Sequence, residues 1–295
     1  MASISFGTKK SKLTCPICKS KKPQKFLAMS GYKLARCQKC GMVWDPFSLE
    51  SLEDQYDKSY FENDNPKGGY ANYFEGMRIN KKTFSDRLKR LEKLYTKKGK
   101  LLDVGCALGD CLLEARRLGW KEVEGLEVSP FACEFARKRG LKVKSGDLRR
   151  AGFLKASFDV ITYQDVIEHI DDPLAELRIA KKILKSKGMI FLVTPDIDGF
   201  WHKVLGSLWY HFKPGEHVFY FSQKTLKLIL EKAGFVNIKT RRTYHVLSIE
   251  YVLNRLKYYA PNLFGGLLKL AQKIGFGSWS FRVYTGEIEA WGYKV

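Results

Sequence analysis

The loop Asp103-Val104-Gly105-Cys106-Ala107-Leu108-Gly109-Asp110, together with Glu127, has the residue types and spacing to bind a nucleoside. Leu101 to Val104 reads as a buried strand, Gly105 and Gly109 let the backbone approach a ligand, and Glu127 closes the next strand, where it can accept from ribose hydroxyls. Dinucleotide sites offer Gly-x-Gly-x-x-Gly and a helix N-terminus to a pyrophosphate. Here the spacing is Gly-x-x-x-Gly and the carboxylate of Asp103 faces the loop, an arrangement that repels phosphate and suits a cationic ligand.

A second constellation is metallic. Cys15-Pro16-Ile17-Cys18 and Cys37-Gln38-Lys39-Cys40 form two Cys-x-x-Cys knuckles, the spacing that places paired thiolates on one tetrahedral ion. Residues 1–44 contain no acid and ten Lys or Arg, whose field lowers thiolate pKa values and offsets the negative charge of a four-cysteine centre. Zinc fits; iron in a rubredoxin-like site uses the same ligands. Cys106, Cys111 and Cys133 read as small buried hydrophobes.

The segment around Asp103 and Gly105 resembles motif I of the class I S-adenosylmethionine-dependent methyltransferases, with Ala107 where the family usually has glycine. The resemblance implies a Rossmann-like α/β sheet of seven strands, the last antiparallel, and S-adenosylmethionine as cofactor. It implies cofactor contacts from Asp103, Gly105, Gly109 and Glu127, from Asp147 to the adenine amino group, from Leu148 to the ring face, and from Gln164 after the fourth strand. Glu216-His217 resembles the Glu-His pair of sugar methyltransferases, which makes His217 the candidate base, Glu216 its companion and Tyr73 a candidate for positioning. The ring-rich stretch from Trp201 to Phe221, in which the pair lies, is expected to help build the acceptor pocket. His169, beside Ile167 and Ile170, reads as a packed histidine outside the catalytic set. No Asn-Pro-Pro-Tyr-like tetrapeptide follows the fourth strand and no cysteine follows Cys133, so exocyclic-amino and cysteine-nucleophile methylation are disfavoured.

These residues must be held by an alternating framework. Apolar spacing at Phe84, Leu88, Leu91 and Tyr95 predicts a helix over 78–96. Strands are expected at 100–104, 122–127, 141–145, 158–163, 188–193, 235–243 and 286–293. Helices are expected near 109–118, after the Ser129 cap to Gly140, over 173–184, from Ser222 to Gly234, and within 248–274. The domain reading is a zinc ribbon at 1–45, an aromatic linker or lid with its helix at 46–98, and the methyltransferase domain at 99–295.

Composition bounds the rest. The 295 residues and 45% hydrophobic content are those of a folded α/β domain with a small appendage. No apolar run reaches the ~20 residues a bilayer span needs, and no signal-peptide pattern opens the chain, so a cytoplasmic location is expected. The 52 Lys and Arg against 31 Asp and Glu give +21, a field that steers polyanions. The expected acceptor is a small or lipid-linked molecule of glycan type, a sugar hydroxyl or carbon, with the charge serving a nucleotide diphosphate. RNA methylation is the second reading, and a non-catalytic zinc-ribbon interaction protein the third. Peripheral contact with an anionic membrane through the Tyr251–Ile274 region stays open, against a core-packed helix with a solvated basic face.

Overall fold

A computed structural model describes residues 13–29, 32–47, 73–257 and 260–295. The stretch 48–72, which holds most of the expected aromatic lid, lies outside them. The chain divides into two units, one of 1–54, 148–242 and 286–295, the other of 55–147 and 243–285.

The first unit contains two sheets. Strands β1 (Pro23–Met29), β2 (Tyr32–Cys37) and β3 (Val43–Trp44) form an antiparallel ribbon, and β3 pairs onward with β9 (Phe219–Tyr220). Each cysteine knuckle turns in the same way. Lys19 N and Gly41 N donate back to the Cys15 and Cys37 carbonyls, while Cys15 N and Cys37 N donate to the Ser20 and Met42 carbonyls. The turns need a left-handed residue, supplied by Lys19 (φ 60°) and Gly41 (φ 86°).

The unit's other strands are β7 (Phe158–Gln164), β8 (Leu184–Pro195), β10 (Val236–Ser248) up to residue 242 and β11 (Ser280–Tyr293) from residue 286, in the order β10-β11-β8-β7. β7 runs parallel to β8, and β11 antiparallel, pairing Glu287–Tyr293 with Pro195–Met189. Met189 to Val193 are all buried, the unbroken apolar run of a strand covered on both faces. Helices α4 (Pro173–Ile183) and α6 (Gln223–Ala233) pack together, and Leu177, Ala180, Leu226, Ile229 and Leu230 are buried. Asp172 and Ser222 cap them, Ser222 within a reciprocal capping box with Thr225.

The second unit has β4 (Lys100–Val104), β5 (Glu122–Glu127) and β6 (Lys142–Ser145) in parallel register. Helices α2 (Asp110–Arg117) and α3 (Pro130–Lys138) follow β4 and β5, α3 opening at the expected Ser129 cap with Pro130 in its first turn. α1 (Tyr73–Leu94) packs on α2, with Leu88 and Leu91 fully buried. α7 (Ile249–Leu256) and α8 (Pro261–Lys273) also belong to this unit, and the short α5 (Phe200–Leu205) belongs to the first. The expected Rossmann-like α/β series of mostly parallel strands is present, with α1 starting earlier and β8, β10 and β11 running longer than hydropathy alone gives.

Candidate active site

In the second unit, β4 delivers its chain into three left-handed positions: Gly105 (φ 70°), Ala107 (φ 46°) and Gly109 (φ 87°). For Ala107 that conformation costs about 1–2 kcal/mol. It is held by a carboxylate, since Ala107 N donates to Glu127 Oε2 at 2.8 Å and Ser129 N donates to Glu127 Oε1 at 2.9 Å. Glu127 thus ties the loop after β4 to the turn after β5. Burial pushes its pKa up, and the main-chain donors at Ser129, Ala107 and Val128 pull it back. Its remaining lone pairs can still accept from a diol.

Close packing explains two glycines here. A Cβ on Gly125 would lie 2.5 Å from Cys106 Sγ and 2.8 Å from Leu112, and one on Gly109 would lie 2.2 Å from Leu141. Cys106, Cys111 and Cys133 are buried. Asp103 is buried at the end of β4, and half-buried Asp147 follows Gly146, whose N–H donates to the Glu127 carbonyl at 2.8 Å. Asp103, Gly105, Gly109, Glu127 and Asp147 therefore belong to one unit. Leu148, buried, and Gln164, half-buried at the end of β7, belong to the other.

In that other unit a compact polar cluster forms around His217. Glu168, His169 and His217 bring ligand-capable atoms within 4.8 Å of one another. The two imidazoles meet edge to face, with centroids 4.7 Å apart. His169 Nδ1 donates to the Glu216 carbonyl at 2.9 Å, and Thr194 Oγ1 donates to Glu168 Oε2 at 2.9 Å. His217 Nδ1 and Glu168 Oε1 are buried without a hydrogen-bond partner among the described residues. The carboxylate of Glu216 instead sits 3.5 Å from Lys213 Nζ. The acid beside His217 is Glu168, not Glu216; its signal in the sequence is the string Asp165-Val166-Ile167-Glu168-His169 that follows β7. Tyr73 opens α1, and its side chain lies outside the described residues.

Burial governs the protonation of this cluster. It lowers the pKa of His169 to about 4 and that of His217 well below the usual imidazole value, with His169 and Lys213 adding to the second shift. Burial, then the neighbouring Asp165 charge, pushes Glu168 well up. Both imidazoles are therefore neutral at pH 7, the state a base requires.

The rings near His217 do structural work. Trp209, Phe212 and Tyr220 pack with Leu34, Val43 and Ile197 into one buried cluster, joined at its edge by Phe26 and Trp201. Gly286 (φ 102°) leaves space for the Trp209 indole, whose Nε1 would stand 2.8 Å from a Cβ there. Among the ribbon cysteines, the Cys15–Cys40 and Cys18–Cys37 sulfur pairs are 3.6 and 3.5 Å apart. All four sulfurs lie within 4.8 Å of one another, a spacing compatible with a tetrahedral metal-binding cluster.

A family model described as a methyltransferase domain matches residues 75–240. The chain belongs to the class I S-adenosylmethionine-dependent methyltransferases. A ubiquinone biosynthesis O-methyltransferase of Neisseria meningitidis is 30% identical over 169 residues, covering 52% of this chain and 71% of the relative. A methyltransferase structure from Thermotoga maritima, described as a possible histamine N-methyltransferase, superposes with a TM-score of 0.51 at 21% identity, covering 76% of this chain and 93% of its own. A phosphoethanolamine N-methyltransferase of Haemonchus contortus, in complex with phosphomonomethylethanolamine and S-adenosylhomocysteine, gives 0.51 at 15% identity, over 91% and 71%. At these identities the two structures establish the fold. The methyltransferase is an enzyme using S-adenosylmethionine, and the reading as a non-catalytic interaction protein gives way.

His169 makes stability pH-dependent. Its folded pKa of about 4 lies below the ordinary 6.5, so the unfolded chain binds the extra proton first as pH falls. Stability held above pH 6.5 is lost progressively towards pH 4, by on the order of 2–3 kcal/mol. Urea denaturation at pH 7 and pH 5 should show this loss in the native protein and a smaller one in His169→Gln; equal losses would refute the assignment.

Proposed function

We propose that this methyltransferase methylates a small or lipid-linked acceptor of sugar type, at a hydroxyl or carbon, with the acceptor held as a nucleotide diphosphate. The observation that carries the reading is buried His217, set against His169 and Glu168 with its Nδ1 lacking a hydrogen-bond partner among the described residues, a nitrogen open to an acceptor proton. A hydroxyl is favoured over a carbon by the relative named for O-methylation in ubiquinone biosynthesis. The net charge of +21 supports an anionic group on the acceptor.

S-adenosylmethionine supplies a methyl group already activated by the sulfonium, so the chain's task is alignment, exclusion of water and proton removal. Asp103 binds the cationic amino-acid end, and Glu127 the ribose hydroxyls, with Gly105 and Gly109 opening the loop to them. Asp147 accepts from the adenine amino group, Leu148 covers the ring and Gln164 lines the site. His217 takes the acceptor proton at Nδ1. His169, oriented by its bond to the Glu216 carbonyl, and Glu168 hold His217 in place, and Tyr73 positions the acceptor. In the ribbon, Cys15, Cys18, Cys37 and Cys40 hold a structural zinc ion, which supplies folding free energy to a segment too short to bury a core of its own.

The reading rests on three measurable outcomes. Asp103→Asn should weaken S-adenosylmethionine binding at least roughly tenfold in isothermal titration, as expected for loss of a charge-assisted hydrogen bond; native affinity in that variant would remove Asp103 from the site. His217→Asn should retain cofactor affinity while turnover on a responsive nucleotide sugar falls by roughly 10²–10⁴-fold; unchanged turnover would return His217 to a packing role. Elemental analysis of purified protein should find one zinc per chain, lost with Cys37→Ser, and iron or no metal would overturn the zinc assignment.

A further inference from the structure

Helix α8 carries two apolar stripes. Leu268 and Ala271 are buried on the side packed with α7. Leu263, Leu267, Leu270 and Ile274, at i, i+4, i+7 and i+11, form a second stripe on the exposed side, with Leu263 61% and Ile274 59% accessible. The exposed apolar surface continues past the helix. Phe276 and Trp279 have ring centroids 5.2 Å apart, and Trp279 and Phe281 are 66% and 45% accessible. Large apolar side chains clustered in this way on a folded surface mark an interaction site.

Charge selects the partner. From Tyr251 to Gly286 the sequence has no Asp or Glu, while Arg255, Lys257, Lys269 and Lys273 are cationic and Arg282 is paired with Asp86 of α1. Lys269 and Lys273 are exposed on the flank of the stripe. Glu250, just before this stretch, accepts a hydrogen bond from the Gln272 side chain at 2.9 Å. A second copy of the chain would bring two cationic faces together, a repulsive arrangement. Leu, Phe and Trp on one face with Lys on its flank is the pattern of a helix lying in a lipid interface, where anionic headgroups attract the lysines. We infer that the exposed face of α8, with Phe276, Trp279 and Phe281, docks on an anionic lipid surface. The contact is peripheral, since no helix among the described residues is long and apolar enough to cross a membrane. It is independent of which acceptor the enzyme methylates.

Flotation of the full-length protein with vesicles tests this. Binding should be at least roughly tenfold stronger to phosphatidylcholine vesicles containing phosphatidylglycerol than to phosphatidylcholine alone. Leu267→Gln with Leu270→Gln removes apolar contact without changing charge, and Lys269→Glu with Lys273→Glu reverses the flank. Each pair should lower vesicle binding roughly tenfold or more, with S-adenosylmethionine binding by titration retained as the check on folding. Absence of binding to anionic vesicles would overturn the inference. So would binding that survives both pairs, which would reflect overall charge, and so would a leucine pair that changes only the sedimenting mass, which would make the face a self-interface.

Discussion

The architecture around His217 depends on a short run of main-chain hydrogen bonds. Asp45 N donates to the Val218 carbonyl at 2.9 Å, and Val218 N donates to the Glu168 carbonyl at 3.0 Å. Beside them Val43 and Trp44 pair with Tyr220 and Phe219. A two-residue strand has little stability alone; here β3 pairs on one side with β2, which leads into the cysteine knuckle at Cys37, and on the other with β9. The four-cysteine ribbon and the candidate base are therefore parts of one hydrogen-bonded unit. The cluster of Trp209, Phe212 and Tyr220 against Leu34 and Val43 adds apolar burial to the same joint.

A different economy operates at the nucleoside loop. Burying Glu127 is unfavourable for a charge, yet its two oxygens take main-chain protons from Ala107 and Ser129 that would otherwise lack partners. The carboxylate thereby holds Ala107 in a left-handed conformation that glycine adopts without strain. The departure from glycine at this position is accommodated by a hydrogen bond, and the loop retains its tight path. Preorganisation of this kind lets a site bind without first ordering its own backbone.

The cluster of Glu168, His169 and His217 gives polar groups an apolar setting that keeps the imidazoles neutral. Buried polar groups without hydrogen-bond partners, such as His217 Nδ1 and Glu168 Oε1, are costly and concentrate where function needs them. The exposed stripe on α8 is the converse case, apolar side chains left in water on a helix that itself carries no acid.

Features set by neighbouring residues along the chain were legible in the sequence. Caps at Ser129 and Ser222, the glycine loop after β4 and the paired cysteine knuckles follow from local backbone preferences and ligand spacing, and the structure has each of them where its residues indicate. Hydropathy marked α8 as apolar, but which of its stripes is buried was decided by tertiary packing, with α7 and the turn at Phe276–Ser278 as neighbours. The acid next to His217 was likewise beyond the sequence. Glu216 is its covalent neighbour, yet that side chain turns to Lys213, and Glu168 arrives from the end of β7. The rings of Trp209 and Phe212, expected to line a pocket, are buried against the ribbon. Local pattern determines most of the α/β elements, though not all of their ends; which side chains meet is set by strand pairings between distant segments, such as β3 with β9, that leave no mark on either segment alone.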